Sequence, residues 1–458
     1  MTLRKMVGAR KALGVGVALV LAGTMALSGC TSGGGPQAAP TQVITDVTNH
    51  PDTTISVWVF NKLPTEVDAI QASINRLQDK YSWLHVNLVT AKDDTAFAQA
   101  VTANNPPDVF VTASPDNVAK FCYDGTVADM NPLIKSAGLD VNATFPAAAL
   151  TYTQYQGKQC ALPLLVDAYG LYYNKKMFSD AGITDLPKTL SELTADVQKL
   201  TKRDGSGKIT QWGMSPPRVD YGQFDNIFVG GNVGAPFYDD SGKSTLGSDP
   251  AWVDMLNWQK GILDYFGADQ TQKFVATYSA HTDDAKNPFV NGQSAIEFDG
   301  EWHIGELAAN APKLDYGVMP MPVPDSQAAK YGAGNVVGTV VYIPSGSTKQ
   351  DAAFLAVQQL TTDTDFLTTF ATAMSNVPTT FDSLNAWQMG SDEKWKTFID
   401  ITKNENSFYK SLTPAGAEDV TTFTKFIENW QQGKVSDLPS GLTQLAQQID
   451  ELNAQASS

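Results

Sequence analysis

Four carboxylates, Glu297, Asp299, Glu301 and Glu306, surround one tryptophan, Trp302, in the stretch NPFVNGQSAIEFDGEWHIGEL at residues 287–307. Two kinds of chemistry use that composition. A carboxylate pair flanking a glycosidic bond supplies the acid and base of glycoside hydrolysis. A carboxylate beside an indole can instead hold a sugar, whose apolar face stacks on the ring while its hydroxyls pair with the acid. Charge-assisted hydrogen bonds are roughly twice as strong as neutral ones, and a buried hydroxyl left unpaired costs about 1–3 kcal/mol. A polar ring around Trp302 would therefore give specificity while stacking gives affinity.

Each of these residues also has a plainer role. Alternation from Ala295 to Phe298 predicts a strand with Glu297 facing solvent, and Asp299, just before Gly300, suits a cap on the next helix. Glu301 and Trp302, at the strand-to-helix corner, are the better candidates for ligand contact. His303 reads as a satisfied surface or core histidine. Trp58 lies inside a strand and reads as core, whereas Trp387, in the loop-like SLNAWQMG, offers a second aromatic platform.

Other chemistries find little support. The histidines His50, His85, His281 and His303 form no close cluster, and no cysteine has CxxC or Cys/His spacing, so no metal site or cofactor is expected. GxSxG and HExxH patterns are absent from the sequence. RDGSGKIT and YDDSGKSTL lack the ligand periodicity and terminal Glu of an EF-hand loop and read as tight Gly-centred turns.

The N-terminus assigns a compartment. Arg4, Lys5, Arg10 and Lys11 precede the apolar run ALGVGVALVLAGTMAL, and LSGC follows at residues 27–30. A basic segment, an apolar segment and small residues describe a secretory signal over residues 1–29, too short for a permanent span. LSGC resembles the lipobox of bacterial lipoproteins, which implies a mature chain beginning at a lipidated Cys30. Residues 30–52 would then be the lipidated Cys and a flexible tether rich in Gly, Ser and Pro. The expected location is the extracellular face of the cytoplasmic membrane, held by lipid. With Cys30 acylated, Cys122 and Cys160 remain as an even pair in an oxidising compartment, which predicts a disulfide; two separate buried thiols are the alternative. Loss of the four signal cations takes the formal charge from −16 to −20, too acidic for electrostatic binding of nucleic acid or anionic lipid.

The elements that must position these residues follow from periodicity. At 458 residues the chain is long enough for two domains. TISVWVF, HVNLVTA and PPDVFVTA predict strands, separated by helices in PTEVDAIQASINRLQDKYS and DTAFAQAVTAN. Such alternation argues a doubly wound α/β layer with a parallel-type sheet, whose ligands collect at the carboxyl ends of strands. Phe60, Asn61, Ser114 and Asp116 lie at those ends. Further on, LYYN predicts a strand, KTLSELTADVQKLTK and DPAWVDMLNWQKGILDYF helices with Trp252 and Trp258 in the core, LDYGVMPMPVP and NVVGTVVYIPSG strands, and the remainder is nearly all helix.

In order and spacing, LSGC, PPDVFVTASPDNVAKFCYDGTVADMNPLI, GKQCALPLLVDAYGLYYNKKMFSDAGI, NPFVNGQSAIEFDGEW and YGVMPMPVP together resemble the family 1 extracellular solute-binding proteins, the maltose-binding-like receptors of carbohydrate ABC importers, in their actinobacterial lipoprotein form. The resemblance covers essentially the mature chain. It implies a two-lobed type II periplasmic-binding-protein-like α/β fold with a multi-segment hinge, which closes on a carbohydrate in the interlobe cleft and delivers it to a membrane permease. A monomer without enzymatic activity is implied as well. The expected lobes are 53–165 with 315–345 and 166–314 with 346–458.

Carried over by that resemblance, the ligand-binding residues are Phe60, Asn61, Ser114, Asp116, Asp167, Tyr169, Asp225, Asn226, Glu301, Trp302 and Asn335. Trp302 matches the position where such receptors commonly stack a tryptophan on a pyranose. The tryptophan that some maltose receptors carry after PDV has no counterpart in VTASPDN. An exported carboxylate-dependent glycoside hydrolase or lyase, and a same-fold receptor for a polyamine, peptide or metal chelate, are the alternative readings.

Overall fold

The computed structural model describes residues 50–224, 232–280 and 286–457. Three parallel strands open the fold: β1 (Thr53–Val59), β2 (Leu84–Val89) and β3 (Val109–Thr112), with β1 in the middle. Ile55, Val57 and Val59 alternate into the core from β1, as the period of a strand requires. Helix α1 (Pro64–Lys80) starts on a proline, whose missing N–H costs nothing in the first turn, and buries Ile70, Ile74 and Leu77. Helix α2 (Asp94–Thr102) is capped by Asp93, which accepts from the Ala96 N–H. Helix α3 (Asn117–Tyr123) carries Cys122, disulfide-bonded to Cys160.

The element that organises the rest is β4 (Leu162–Asn174), a 13-residue strand. LYYN is only its last third; the strand begins at Leu162 because almost every residue is buried, so neither face shows the polar alternation that marks a half-exposed strand. Its first half pairs antiparallel with β7 (Val336–Tyr342) and β8 (Val377–Pro378). Its second half pairs antiparallel with β5 (Ile296–Gly300) and β6 (Tyr316–Pro320). Strand β7 also lies antiparallel against β3, so the sheet is mixed rather than parallel throughout.

Some of these pairings join segments that the sequence assigns to different lobes. Residues 316–320 stand beside β4 with β5, among segments expected of the other lobe. Helices α7 (Gln350–Thr362) and α8 (Thr364–Met374) pack on α1, so they accompany the first strands rather than the C-terminal helices. A run of amphipathic helices carries no mark of which sheet each one covers, and only packing decides it.

Helix α4 (Leu190–Leu200) opens with a reciprocal capping box of Thr189 and Glu192, and α5 (Pro250–Phe266) buries Trp252 completely. Trp258 is partly buried, its indole N–H donating to Thr194 Oγ1. Helix α6 (His303–Asn310) follows β5. Asp204 and Asp239 each accept from a Ser and a Lys backbone N–H two and four residues on, so both Asp-rich loops are turns. Among the described residues no group of three or more His, Cys, Asp or Glu could hold a metal ion, and no helix is long and apolar enough to cross a membrane.

Candidate ligand-binding site

The two halves of β4 meet at Asp167–Ala168–Tyr169: Asp167 is opposite Val337 of β7, Ala168 opposite Val336, and Tyr169 opposite Gly300 of β5. Glu301 fastens this crossing. Its backbone N–H donates to the Ala168 carbonyl at 3.2 Å, and its Oε2 accepts the Ala168 N–H at 2.7 Å. The Nδ2 of Asn376, just before β8, donates to Glu301 Oε1 at 2.6 Å and to Asp167 Oδ1 at 2.5 Å. Glu301 is fully buried and Asp167 half-buried. Burial pushes the Asp167 carboxyl up to about 7, and burial followed by the Asp167 charge pushes Glu301 well above the usual carboxylate range. The buried phenol of Tyr152 is held neutral by burial and then by these two acids.

Beside the acids stands an aromatic stack. Trp302 is half-buried, and its ring meets Tyr169 edge-on at 5.4 Å. Tyr169 in turn stacks on Phe298 at 5.9 Å, and Phe298 on Phe224 at 5.5 Å. The indole folds back over Gly300, where an added Cβ would lie 2.2 Å from the ring. Glycine at 300 is thus what lets Trp302 seat at the strand end. Tyr169 is only 7% exposed, so it backs Trp302 rather than offering a face of its own.

The other acids of the 287–307 stretch serve His303. This buried imidazole has Glu306 at 3.1 Å and Asp299 at 3.5 Å from Nδ1, and Glu297 at 3.4 Å from Nε2. Burial opposes its charge, but the close Glu297 carboxylate, the hydrogen bond to Glu306 and the Asp299 charge outweigh that, and its pKa rises to about 10. Glu297 is therefore buried, not solvent-facing, because α6 covers that side of β5. Asp299 does not cap α6, which follows Trp302 without a side-chain cap; its Oδ1 accepts the Gly300 N–H. Burial raises the Asp299 carboxyl to about 7 even with His303 opposing.

The residues expected from the first strands form a second group. Asn61 is buried, donating to Glu66 and to the Met374 sulfur, two residues before Asn376; Phe60 beside it is half-buried. Ser114 donates to Asp94 at 2.6 Å. Asp116 is committed to the protein: it accepts from the Tyr409 hydroxyl at 3.2 Å and pairs with Lys410 at 3.2 Å. Lys410 is fully buried and also pairs with Asp419 at 3.0 Å, which accepts from the Tyr238 hydroxyl. Asn335 is buried and bridges the Phe408 backbone, next to Tyr409. Its loop approaches β4 at Gly334, where a Cβ would lie 3.7 Å from the Tyr169 carbonyl.

The structure thus gathers Asp167, Tyr169, Glu301 and Trp302 into one place and ties Asp116 and Asn335 to a neighbouring buried network. Asp225 and Asn226 lie outside the described residues, as does Cys30. Trp387 is not a platform: it is buried against Trp395 at 4.9 Å and donates to Thr372. Trp58 is half-buried with the Lys92 ammonium 4.8 Å above its ring. Asn376, Tyr152, Tyr409 and Lys410 escaped the sequence reading. None stands in a motif.

Hydrolysis does not suit this geometry. Both Glu301 oxygens accept from the protein itself and the side chain is sealed from solvent, so it cannot reach a glycosidic oxygen.

Residues 63–369 match the family model of the bacterial extracellular solute-binding proteins. The chain is 23% identical over 343 residues to a maltotriose-binding protein of Pyrococcus abyssi, covering 74% of this chain and 69% of that one. It is 24% identical over 313 residues to the diacetylchitobiose binding protein of Streptomyces coelicolor, covering 66% and 67%. A solved protein with mannotriose bound superposes with a TM-score of 0.71 at 24% identity, over 86% of this chain and 99% of its own. The fold is the two-lobed type II α/β fold with its cleft between lobes, and the chain is a binding protein, not an enzyme. This chain belongs to the bacterial extracellular solute-binding protein family.

Proposed function

We propose that the protein is the carbohydrate receptor of an ABC importer, holding an oligosaccharide in the interlobe cleft and passing it to the transmembrane permease. The observation that carries the reading is that Trp302 and Asp167, both only part-buried, meet the strand crossing between two sheet halves. A pyranose face suits the first and its hydroxyls the second. Named ligands of the relatives and the structural neighbour, maltotriose, diacetylchitobiose and mannotriose, support the same class.

In this reading one lobe carries β1–β3, β7, β8, α1, α2, α7 and α8, and the other β5, β6 and α6, with β4 in both. Cleft contacts come from Phe60, Ser114, Asp167 and Trp302. Asn61, Asp116, Tyr169, Glu301 and Asn335 shape the cleft from behind. The receptor works as a monomer, anchored by lipid on Cys30 at the extracellular face of the membrane.

Titration calorimetry of the chain from Thr31 against maltotriose, mannotriose, diacetylchitobiose, spermidine and a tetrapeptide tests the assignment. Saturable heat with a saccharide and none with the amine or peptide is expected. The reverse pattern would assign a different solute class.

A further inference from the structure

Asp167 lies on the crossing strand β4 and Glu301 follows its partner β5, yet they share one donor. An amide NH2 has two hydrogens, and Asn376 gives one to each acid. Two oxygens bonded to the same nitrogen lie within about 5 Å of each other, where two negative charges repel strongly. Neither acid has an ion-pair partner among the described residues; Glu301 is sealed and Asp167 half-buried. Of their four oxygens, three accept from Asn376 or Ala168. The fourth, Asp167 Oδ2, has no protein partner among the described residues.

We propose that Asp167 and Glu301 hold one proton between them at neutral pH, so that the pair is a single negative charge whose free atom, Asp167 Oδ2, either donates to or accepts from a ligand hydroxyl. Glu301 and Asn376 are then positioning residues that fix the orientation and the charge of Asp167. The raised ionisation of both acids agrees with this geometry. The other ionisable groups around the pair do not replace the missing cation. Tyr152, and Tyr172 on the other side, are phenols held neutral by burial. Asp299, Glu306 and His303 lie beyond Tyr172, with His303 already engaged by its own three carboxylates. The shared proton is a property of the empty protein; only its use on a ligand rests on the function proposed above.

Infrared spectroscopy of the ligand-free protein in D2O, from pH 5 to 9, reads the proton directly through the carbonyl band of protonated carboxyl groups. Asp299 contributes to that band as well but, raised to about 7, is ionised by pH 9. At pH 8 to 9 wild type is expected to keep the intensity of one protonated carboxyl per molecule and the near-isosteric Glu301→Gln to lack it, because Asp167 left alone ionises there while burial and the Asp167 charge hold the proton on Glu301. Should Glu301→Gln fail to fold, persistence of the wild-type band at pH 9 decides. Absence of that intensity in wild type, or its survival in folded Glu301→Gln, would overturn the proposal. That result leaves the saccharide assignment standing, just as silence toward saccharides would leave the shared proton standing.

Discussion

Lys410 Nζ lies 3.2 Å from Asp116 Oδ1, and the lysine is fully buried while the aspartate stays partly open. Asp419 holds the same ammonium from the other side at 3.0 Å. Burial opposes the charge on Lys410, yet the two aspartates outweigh it and keep its pKa above the ordinary lysine value. Removing one member of a buried ion set strands the others. Lys410→Met is therefore expected to destabilise the protein by about 3–5 kcal/mol, read as a lowered urea midpoint at unchanged slope. An unchanged midpoint would show that Asp116 and Asp419 reach water without the lysine.

Gly300 and Trp302 make a second test. A methyl at 300 would stand 2.2 Å from the indole, so Gly300→Ala must push the ring off the strand end. Overpacking of this kind costs about 1–3 kcal/mol. The variant should show altered tryptophan fluorescence and lose saccharide binding more than it loses stability. Wild-type affinity in Gly300→Ala would mean that the ring position is immaterial.

His303 gives stability a defined dependence on pH. Its folded pKa is raised from 6.5 to about 10, so the native state binds a proton that the unfolded chain releases between those values. The stabilisation is fully present below about pH 6.5 and is lost as pH climbs through about 10, on the order of a few kcal/mol. Asp299, raised to about 7, has lost its own contribution by the lower end of that window. Thermal melts of wild type and His303→Gln should converge as pH rises from 7 to 10. Parallel curves would contradict the charged imidazole.

The Cys122–Cys160 disulfide closes a separation of 38 residues, and chain entropy puts its contribution near 4 kcal/mol as an upper value. The double variant Cys122→Ser, Cys160→Ser should melt lower than the oxidised protein and match the reduced one.

Much of this molecule was legible before its structure. β1, α1, β2 and α2 fall where periodicity places them, because each has one buried face and one wetter face, while β3, buried throughout, is marked by its β-branched and aromatic run. β4 was truncated for the opposite reason: buried on both faces, it shows no alternation. The same cause hid the role of Glu297, whose outward side is roofed by α6. Trp302 and Asp167 stand in a recognisable segment order, which marks them as candidates. Asn376 acts on Glu301 and Asp167, 75 and 209 positions away, and Lys410 joins Asp116 far back in the chain; no local pattern marks such partners.

The most direct test of the account is thermal denaturation of wild type and Trp302→Ala, each with and without maltotriose, mannotriose or diacetylchitobiose. A saccharide at a hundred times its dissociation constant should add about 2.7 kcal/mol to wild type. The account predicts that shift for at least one of the three, its loss in Trp302→Ala, and nearly coincident melting of the two proteins without ligand. A wild-type shift that survives in Trp302→Ala, or an empty variant that melts far below wild type, would contradict the indole as a binding platform.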